Sequence, residues 1–143
     1  MRTRNFARDV LTACWAGIGQ GRITDNMATF VKQVDGAFTV PDEKTIVMLY
    51  ELLDTEGIYL GASSALNVVA AYELALKLGK GKRDSLPLRQ TMINNLIPGS
   101  TVVTVLCDGA YRYQSRLFSR KWLESKNLYN VIPEHLKKYA VLE

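Results

Sequence analysis

Residues 57–71 read Gly-Ile-Tyr-Leu-Gly-Ala-Ser-Ser-Ala-Leu-Asn-Val-Val-Ala-Ala, and this stretch decides the predicted fold class. Ile58–Leu60 is a short apolar run between two glycines, which predicts a buried strand followed by a tight turn. The next apolar residues recur at helical spacing and predict a helix with one apolar face: Val68, Ala71, Leu74, Ala75 and Leu78. A strand that enters a helix through a turn of small residues is half of a βαβ unit.

Two serines, Ser63 and Ser64, lie where this helix begins. Ligands of open α/β sheets lie at such turns, beyond the carboxyl ends of the strands. The free N–H groups of the first helical turn and the two hydroxyls would line a site of this kind. Serine is also a preferred helix N-cap, and because most caps bind nothing, the local pattern by itself favours two serines that only cap the helix. The local pattern leaves both interpretations open.

The composition is that of one globular domain without a membrane segment. The chain has 143 residues, of which 48% are hydrophobic and 22% charged. No apolar run reaches the roughly 18 residues that a membrane helix requires. The net charge is +4, but the basic cluster at residues 80–89 contains no aromatic residue. We therefore expect a solvated loop there and no nucleic-acid partner.

Metal-binding patterns are absent from the sequence. The two cysteines, Cys14 and Cys107, are far apart, and His135 is the single histidine. This combination predicts neither a disulfide framework nor a transition-metal site. Cys107 follows an apolar run, so we expect a small buried side chain.

A glycine-rich turn at Gly17–Gly21 follows a segment without clear periodicity. Glycines at this density let the backbone approach a ligand closely, but the spacing does not match a dinucleotide fingerprint. A nucleotide-binding module is therefore a remote alternative. The start of the chain is rich in arginine and is compatible with a mitochondrial presequence, although Asp9 weakens that interpretation. We expect a cytoplasmic or mitochondrial protein.

A helix is predicted from Asp42 to Thr55, with Pro41 at its start and Gly57 as its C-cap. Residues 79–90 are basic and interrupted by glycine and proline, which predicts a surface loop. Residues 90–96 predict a helical turn. Residues 22–38 are predicted to be irregular.

The strongest predicted strand is Ser100–Cys107, which is rich in β-branched residues. Asp108–Ala110 predicts a turn at its carboxyl end, where a ligand would lie. Tyr111–Glu124 predicts a helix, and a short helix is expected after Pro133. Two parallel strands and one crossover make an α/β chain, yet a parallel sheet needs more strands and two covered faces. The sequence therefore predicts an incomplete three-layer α/β/α domain.

Four stretches resemble the C-terminal part of the pyridoxal-phosphate-dependent cysteine synthases, or O-acetylserine sulfhydrylases, of the tryptophan synthase β-like family. They are Gly-Ile-Gly-Gln-Gly-Arg-Ile-Thr-Asp-Asn at 17–26, Val-Pro-Asp-Glu at 40–43, residues 56–67, and Thr-Val-Val-Thr-Val-Leu-Cys-Asp at 101–108. Arg112, Tyr113, Ser115 and Phe118 match the closing motif of the family. The resemblance implies the large domain of fold-type II pyridoxal-phosphate enzymes.

The resemblance also implies cofactor-binding residues. Ser64 matches the serine whose hydroxyl bonds the pyridine nitrogen of pyridoxal phosphate. Gly17 and Gly19 match the loop beside the cofactor and substrate, and Asp108 matches a position near the ring. A neutral hydroxyl does not hold the ring nitrogen protonated as a carboxylate would, which suits β-replacement on an activated serine.

The sequence departs from the family in several places. Three features of the family lie earlier in its chain and do not occur here: the Schiff-base lysine, the substrate-carboxylate loop and the phosphate cup. No lysine of this sequence lies in the family's lysine motif. No catalytic residue is therefore predicted. Residues 1–16 do not resemble the family. Residues 17–124 do resemble it and contain a basic insertion at 80–98. Residues 125–143 form a C-terminal tail. The Lys80–Asn95 part of this insertion separates elements that the family joins directly.

Two functions follow as hypotheses. The first is a cysteine synthase-like protein that acts on O-acetylserine or a related amino-acid substrate in the complete enzyme but is inactive alone. The second is a non-catalytic protein that dimerises, or that associates with a full-length relative or an N-terminal half, because a half-domain exposes apolar faces and a sheet edge.

Overall fold

The computed structural model describes residues 23–36, 39–79 and 101–143. Every regular element within these ranges is helical. The α-helices are, in chain order, α1 (Asp25–Ala28), α2 (Asp42–Glu56), α3 (Ala62–Gly79), α4 (Gln114–Leu117) and α5 (Arg120–Ser125). Short 3-10 helices cover Val31–Gln33, Ala110–Tyr113, Tyr129–Val131 and Glu134–Tyr139. The region predicted to be irregular thus contains two short helices.

Helix α2 confirms the prediction for residues 42–55 and extends it by one residue. Pro41 precedes the first turn, and two acidic residues in that turn favour the positive end of the helix dipole. Gly57 ends the helix in the left-handed region with a φ of 68°. Its N–H donates to the Leu52 carbonyl, as expected for a glycine C-cap.

Helices α2 and α3 pack against each other and form the centre of the hydrophobic core. Tyr50 of α2 is fully buried and connects this pair to the C-terminal region, because its hydroxyl donates to the Leu117 carbonyl at 2.8 Å. Its ring packs against Phe118 and Tyr139 with centroid distances of 5.4 and 6.4 Å. The other fully buried large side chains include Ile46, Leu49, Leu123 and Leu136.

The sequence predicts one continuous helix from Tyr111 to Glu124. This prediction was wrong, because the helix is interrupted. The break falls at Phe118–Ser119, between α4 and α5. Ser119 caps α5 by accepting a hydrogen bond from the Trp122 N–H at 3.2 Å. The chain end also binds here, since the Leu142 N–H donates to the Phe118 carbonyl at 2.9 Å. The short helix expected after Pro133 is confirmed as the 3-10 helix Glu134–Tyr139.

The residues described in the structure contain no β-strand, so the predicted parallel sheet is not confirmed there. Leu60 and Gly109 form an isolated bridge, and its direction is antiparallel. Residues 101–107 have the composition of a strand, but a strand is completed only by hydrogen bonds to a neighbour. Cys107 is exposed, so the prediction of a buried thiol was wrong. The glycine-rich turn, the 79–90 loop from Lys80 onward and the predicted 90–96 turn lie outside the described residues.

Asp54, at the end of α2, is held by the C-terminal 3-10 helix. Lys138 Nζ and the Tyr139 hydroxyl each lie 2.7 Å from its Oδ1. The hydrogen bond from Lys138, followed by that from Tyr139, lowers the pKa of Asp54. A carboxyl group whose pKa is lowered on folding stabilises the folded state at pH values above its unfolded-state pKa, near 4. This stabilisation is lost as the pH falls through the folded-state pKa.

We therefore expect Asp54→Asn to be less stable than the wild type at neutral pH, with the difference shrinking as the pH falls below about 4 and vanishing below the lowered pKa of Asp54. Urea unfolding at a series of pH values measures this difference. Asp25→Asn, on the short helix α1, is the matched control. A difference between wild type and Asp54→Asn that stays constant down to acid pH would contradict the assignment.

Candidate functional site

The candidate site lies where the start of α3 meets residue 108. The connection from Gly57 to Gly61 turns the chain from α2 into α3, and Ser63 and Ser64 follow in the first turn of α3. The Gly61 N–H donates to the Asp108 carbonyl at 3.0 Å, and the Ala110 N–H donates to the Tyr59 carbonyl at 3.3 Å. These two hydrogen bonds join segments that are far apart in sequence and place Asp108 over the helix start.

The Ser64 hydroxyl group forms two hydrogen bonds with the main chain of Asp108, one as donor and one as acceptor. The hydroxyl donates to the Asp108 carbonyl at 2.9 Å and accepts from the Asp108 N–H at 3.1 Å. The Ser64 side chain has 0% exposure. Ser64 therefore links α3 to the carboxyl end of residues 101–108, and we call this pair of hydrogen bonds the serine clasp.

The Asp108 carboxylate is also bound on both oxygens. Ser63 donates to Oδ1 at 3.3 Å, and the Tyr113 hydroxyl donates to Oδ2 at 2.9 Å. The hydrogen bond from Tyr113 to Asp108, with the negative charge of Asp108, raises the pKa of Tyr113 above its ordinary value. Ser63 and Ser64 thus do not act as simple N-caps, because both hydroxyls are directed to Asp108 rather than to their own helix.

Gly61 is required by this geometry. A Cβ built on Gly61 would overlap the Asp108 Oδ1 and lie 3.0 Å from the Asp108 Cγ. No residue with a side chain fits there unless the carboxylate moves. The sequence interpretation treated Gly61 only as a boundary of the strand, and no local pattern indicates a contact with a residue so distant in sequence.

Asn67, one turn further along α3, extends the contact with the segment before Asp108. Its Nδ2 donates to the Val105 carbonyl at 2.9 Å and lies 3.4 Å from the Cys107 Sγ. The Thr104 hydroxyl donates to the Asn67 carbonyl at 3.2 Å. Side chains, rather than a ladder of main-chain hydrogen bonds, therefore hold residues 104–107 along the helix.

Of the four predicted cofactor-binding residues, the structure brings Ser64 and Asp108 together. Gly17 and Gly19 lie outside the described residues. The observed Ser64 does not fit pyridoxal phosphate in this conformation, because its only proton is directed at the Asp108 carbonyl and the side chain is buried. A pyridine nitrogen could be bound only after this hydrogen bond opened.

Ser64→Ala should lower the free energy of unfolding by about 2 kcal/mol, because it leaves the Asp108 N–H without its acceptor. The Asp108 carbonyl keeps the hydrogen bond from Gly61, which limits the loss. Urea unfolding measures the effect, with Ser125→Ala as the control, since Ser125 makes one exposed hydrogen bond. Equal stabilities of the two variants would show that the clasp contributes nothing.

The described residues contain no group of three histidine, cysteine, aspartate or glutamate side chains that could hold a metal ion. None of the helices in the described ranges is long and apolar enough to cross a membrane. An open cavity of about 320 Å³ lies between α2 and α3, and Val47, Met48 and Val69 are among the residues that line it. It does not include Ser64 or Asp108.

Comparison with known proteins finds cysteine synthases among the relatives of this chain. Cysteine synthase 1 of Neurospora crassa is 63% identical over 126 residues, which is 88% of this chain but 29% of the relative. Cysteine synthase 1 of Emericella nidulans is 60% identical over the same shares, and the cysteine synthase of Dictyostelium discoideum is 39% identical over 79% of this chain and 25% of the relative. No family model and no solved structure matches the chain. The chain thus spans less than a third of the length of these relatives.

Proposed function

We propose that this chain, a homologue of one part of the cysteine synthases, is the C-terminal part of a pyridoxal-phosphate-dependent enzyme and is inactive on its own. The complete enzyme would carry out β-replacement on O-acetylserine or a related activated serine in cysteine biosynthesis. The observation that carries this proposal is the combination of 63% identity with coverage of only 29% of the relative. The homology implies a tryptophan synthase β-like fold, in which residues 101–107 would supply one parallel strand.

Three of the lysines described in the structure support inactivity of the isolated chain, because each is held in an ion pair. Covalent catalysis with this cofactor requires a lysine amine that can act as a nucleophile. Lys44 and Lys137 form ion pairs with Glu73 and Glu134, at 2.6 and 2.7 Å. The hydrogen bond from Lys138 to Asp54 raises the pKa of Lys138 and keeps that amine protonated. An amine held in an ion pair is a poor nucleophile.

The state of Ser64 is a second support. Its hydroxyl is bound to the Asp108 main chain, as described above, and is closed to solvent. We propose that Ser64, Asp108, Gly17 and Gly19 contact the cofactor only within the complete enzyme. There, the remainder of the protein would supply the Schiff-base lysine and the phosphate cup. We propose the cytoplasm or the mitochondrion as its compartment.

An alternative function is favoured by one observation. Val103 and Val105 are 85% and 64% exposed, and exposed apolar residues on an extended segment are typical of surfaces that bind a partner. In this alternative the chain is a non-catalytic protein that associates with a full-length relative or with a separate N-terminal half.

Two measurements test the proposal. The purified chain, supplied with pyridoxal phosphate, O-acetylserine and sulfide, should form no cysteine, with Neurospora crassa cysteine synthase 1 as the positive control. Turnover by the pure chain would overturn the claim of inactivity. An immunoblot of source cells with an antibody to residues 112–128 gives the size of the natural polypeptide. A band well above 16.0 kDa supports the enzyme, whereas a band at that mass favours the non-catalytic alternative.

A further inference from the structure

We propose that the groove between α2 and α3 binds a small apolar amine, whose ammonium group pairs with the Glu51 carboxylate. This groove is the open cavity of about 320 Å³ described above, and Ser64 and Asp108 do not line it. The inference is independent of the proposed function, because it uses only side chains of this chain that lie away from the candidate site.

The groove has the size and the walls of a small-molecule site. Its volume lies within the range of about 300–1,000 Å³ that ligand pockets cover. Valines line it from three elements: Val47 from α2, Val69 from α3 and Val131 from a 3-10 helix. Met48 and Tyr72 add a flexible apolar side chain and an aromatic ring. A compact apolar group would therefore be in contact on several sides.

The charges of the groove favour a cation over an anion. Three glutamates and one lysine line it, and the lysine, Lys44, forms an ion pair with Glu73 at 2.6 Å. Among the described residues, no basic side chain forms an ion pair with Glu43 or Glu51. The groove therefore carries two carboxylates that these residues do not neutralise, and a cation would complement them.

Glu51 is the carboxylate that gains more from a bound cation. It is partly buried, and burial raises its pKa, which the positive charge of His135 offsets only in part. A carboxylate that has lost part of its hydration recovers free energy when a cation lies beside it. Glu43 is exposed, so that its charge stays hydrated without a ligand. The pairing is therefore assigned to Glu51.

A compact ligand suits this groove better than a helix or strand of a partner protein. Lys44 and Glu73 lie on opposite walls, so their ion pair closes the groove at the end far from the Gly57–Gly61 connection. Glu51 lies on the side nearer that connection. A polypeptide laid along both helices would have to separate the ion pair, whereas a small amine beside Glu51 leaves it intact.

The test uses 4-phenylbutylamine as the probe and 4-phenylbutanol as its neutral counterpart of similar shape. Each is titrated into the 143-residue chain, and the methyl NMR signals of Val47, Val69 and Val131 report on the groove. We expect the amine to bind with a Kd of about 1 mM or lower. It should bind about tenfold more tightly than the alcohol, because hydrogen bonds to charged groups are stronger than neutral ones.

Three variants assign the binding to named side chains. Glu51→Gln keeps the side-chain shape and should abolish the preference for the amine. Glu56→Gln, at an exposed glutamate of the same helix outside the groove, should keep the preference. Val131→Trp fills the groove from its rim, where the valine is 38% exposed, and should abolish the binding of both probes. If Val131→Trp does not fold, the comparison of Glu51→Gln with Glu56→Gln decides.

Equal binding of the amine and the alcohol would overturn the proposal, as would a preference for the amine that survives in Glu51→Gln. Shifts induced by the amine only outside the groove would overturn it as well. Groove signals that broaden with protein concentration before any probe is added would identify a second copy of the chain as the occupant, which also contradicts a small-molecule site.

Discussion

Gly61→Ala is expected to destabilise the folded chain by about 3 kcal/mol, through overpacking and the loss of hydrogen bonds. The added Cβ would overlap the Asp108 Oδ1, which can be relieved only by rotating the carboxylate. Rotation would break the hydrogen bonds from Ser63 and Tyr113. The cost is therefore larger than the intrinsic difference between glycine and alanine.

Urea unfolding of Gly61→Ala, Asp108→Ala and the double variant measures the coupling between the two residues. If the clash is with the carboxylate, the double variant should be no less stable than Asp108→Ala by itself. Gly36→Ala is the control, because a Cβ at Gly36 meets nothing within 4 Å. A Gly61→Ala protein as stable as Gly36→Ala would show that the close approach is not a constraint.

Tyr50→Ala should cost about 4 kcal/mol, as is usual when a large aromatic residue is removed from a core. The variant loses the ring contacts with Phe118 and Tyr139 and leaves the Leu117 carbonyl without its donor. Burial, more than any neighbouring charge, raises the pKa of this phenol. It therefore stays a neutral donor throughout the pH range in which the protein is handled.

Tyr50→Phe separates the two contributions to this cost. It keeps the ring and removes only the hydroxyl, so we expect a loss of about 1–2 kcal/mol. Tyr111→Ala is the control for aromatic truncation, because Tyr111 is exposed and packs against only Tyr59, in a T-shaped arrangement, among the described aromatic rings. Thermal or urea unfolding of the three variants should give the order Tyr50→Ala, Tyr50→Phe, Tyr111→Ala, from the least to the most stable. A Tyr50→Phe protein as stable as the wild type would show that the hydroxyl contributes nothing.

Local sequence signals predicted α2 and its ends correctly, because they depend on residues close in the chain. Pro41, the acidic first turn and Gly57 act within a few residues of themselves. The break at Ser119 was missed although the serine that caps α5 is itself a local signal, whereas the return of the chain end to Phe118 is not a local one. Residues 101–107 have the composition of a strand, yet strand formation also depends on a neighbour that the local sequence does not describe.

The resemblance to cysteine synthases predicts a cofactor contact for Ser64 and Asp108, and it did not predict the contact between these two residues. In the structure the Ser64 hydroxyl is bound to the Asp108 main chain. Hydrogen bonds between residues separated by 44 positions depend on the tertiary fold, and no spacing rule contains them. The roles of Gly61 and Asn67 were missed for the same reason.

The serine clasp has a consequence for how the sequence between its two ends can evolve. It closes a loop of 44 residues, and the entropy of closing a flexible loop grows only with the logarithm of its length. Adding a stretch as long as Lys80–Asn95 to such a loop costs about 0.3 kcal/mol. Insertions and deletions between α3 and residue 101 are therefore nearly neutral for stability. Lineages that retain the clasp are free to vary this connection in length and charge.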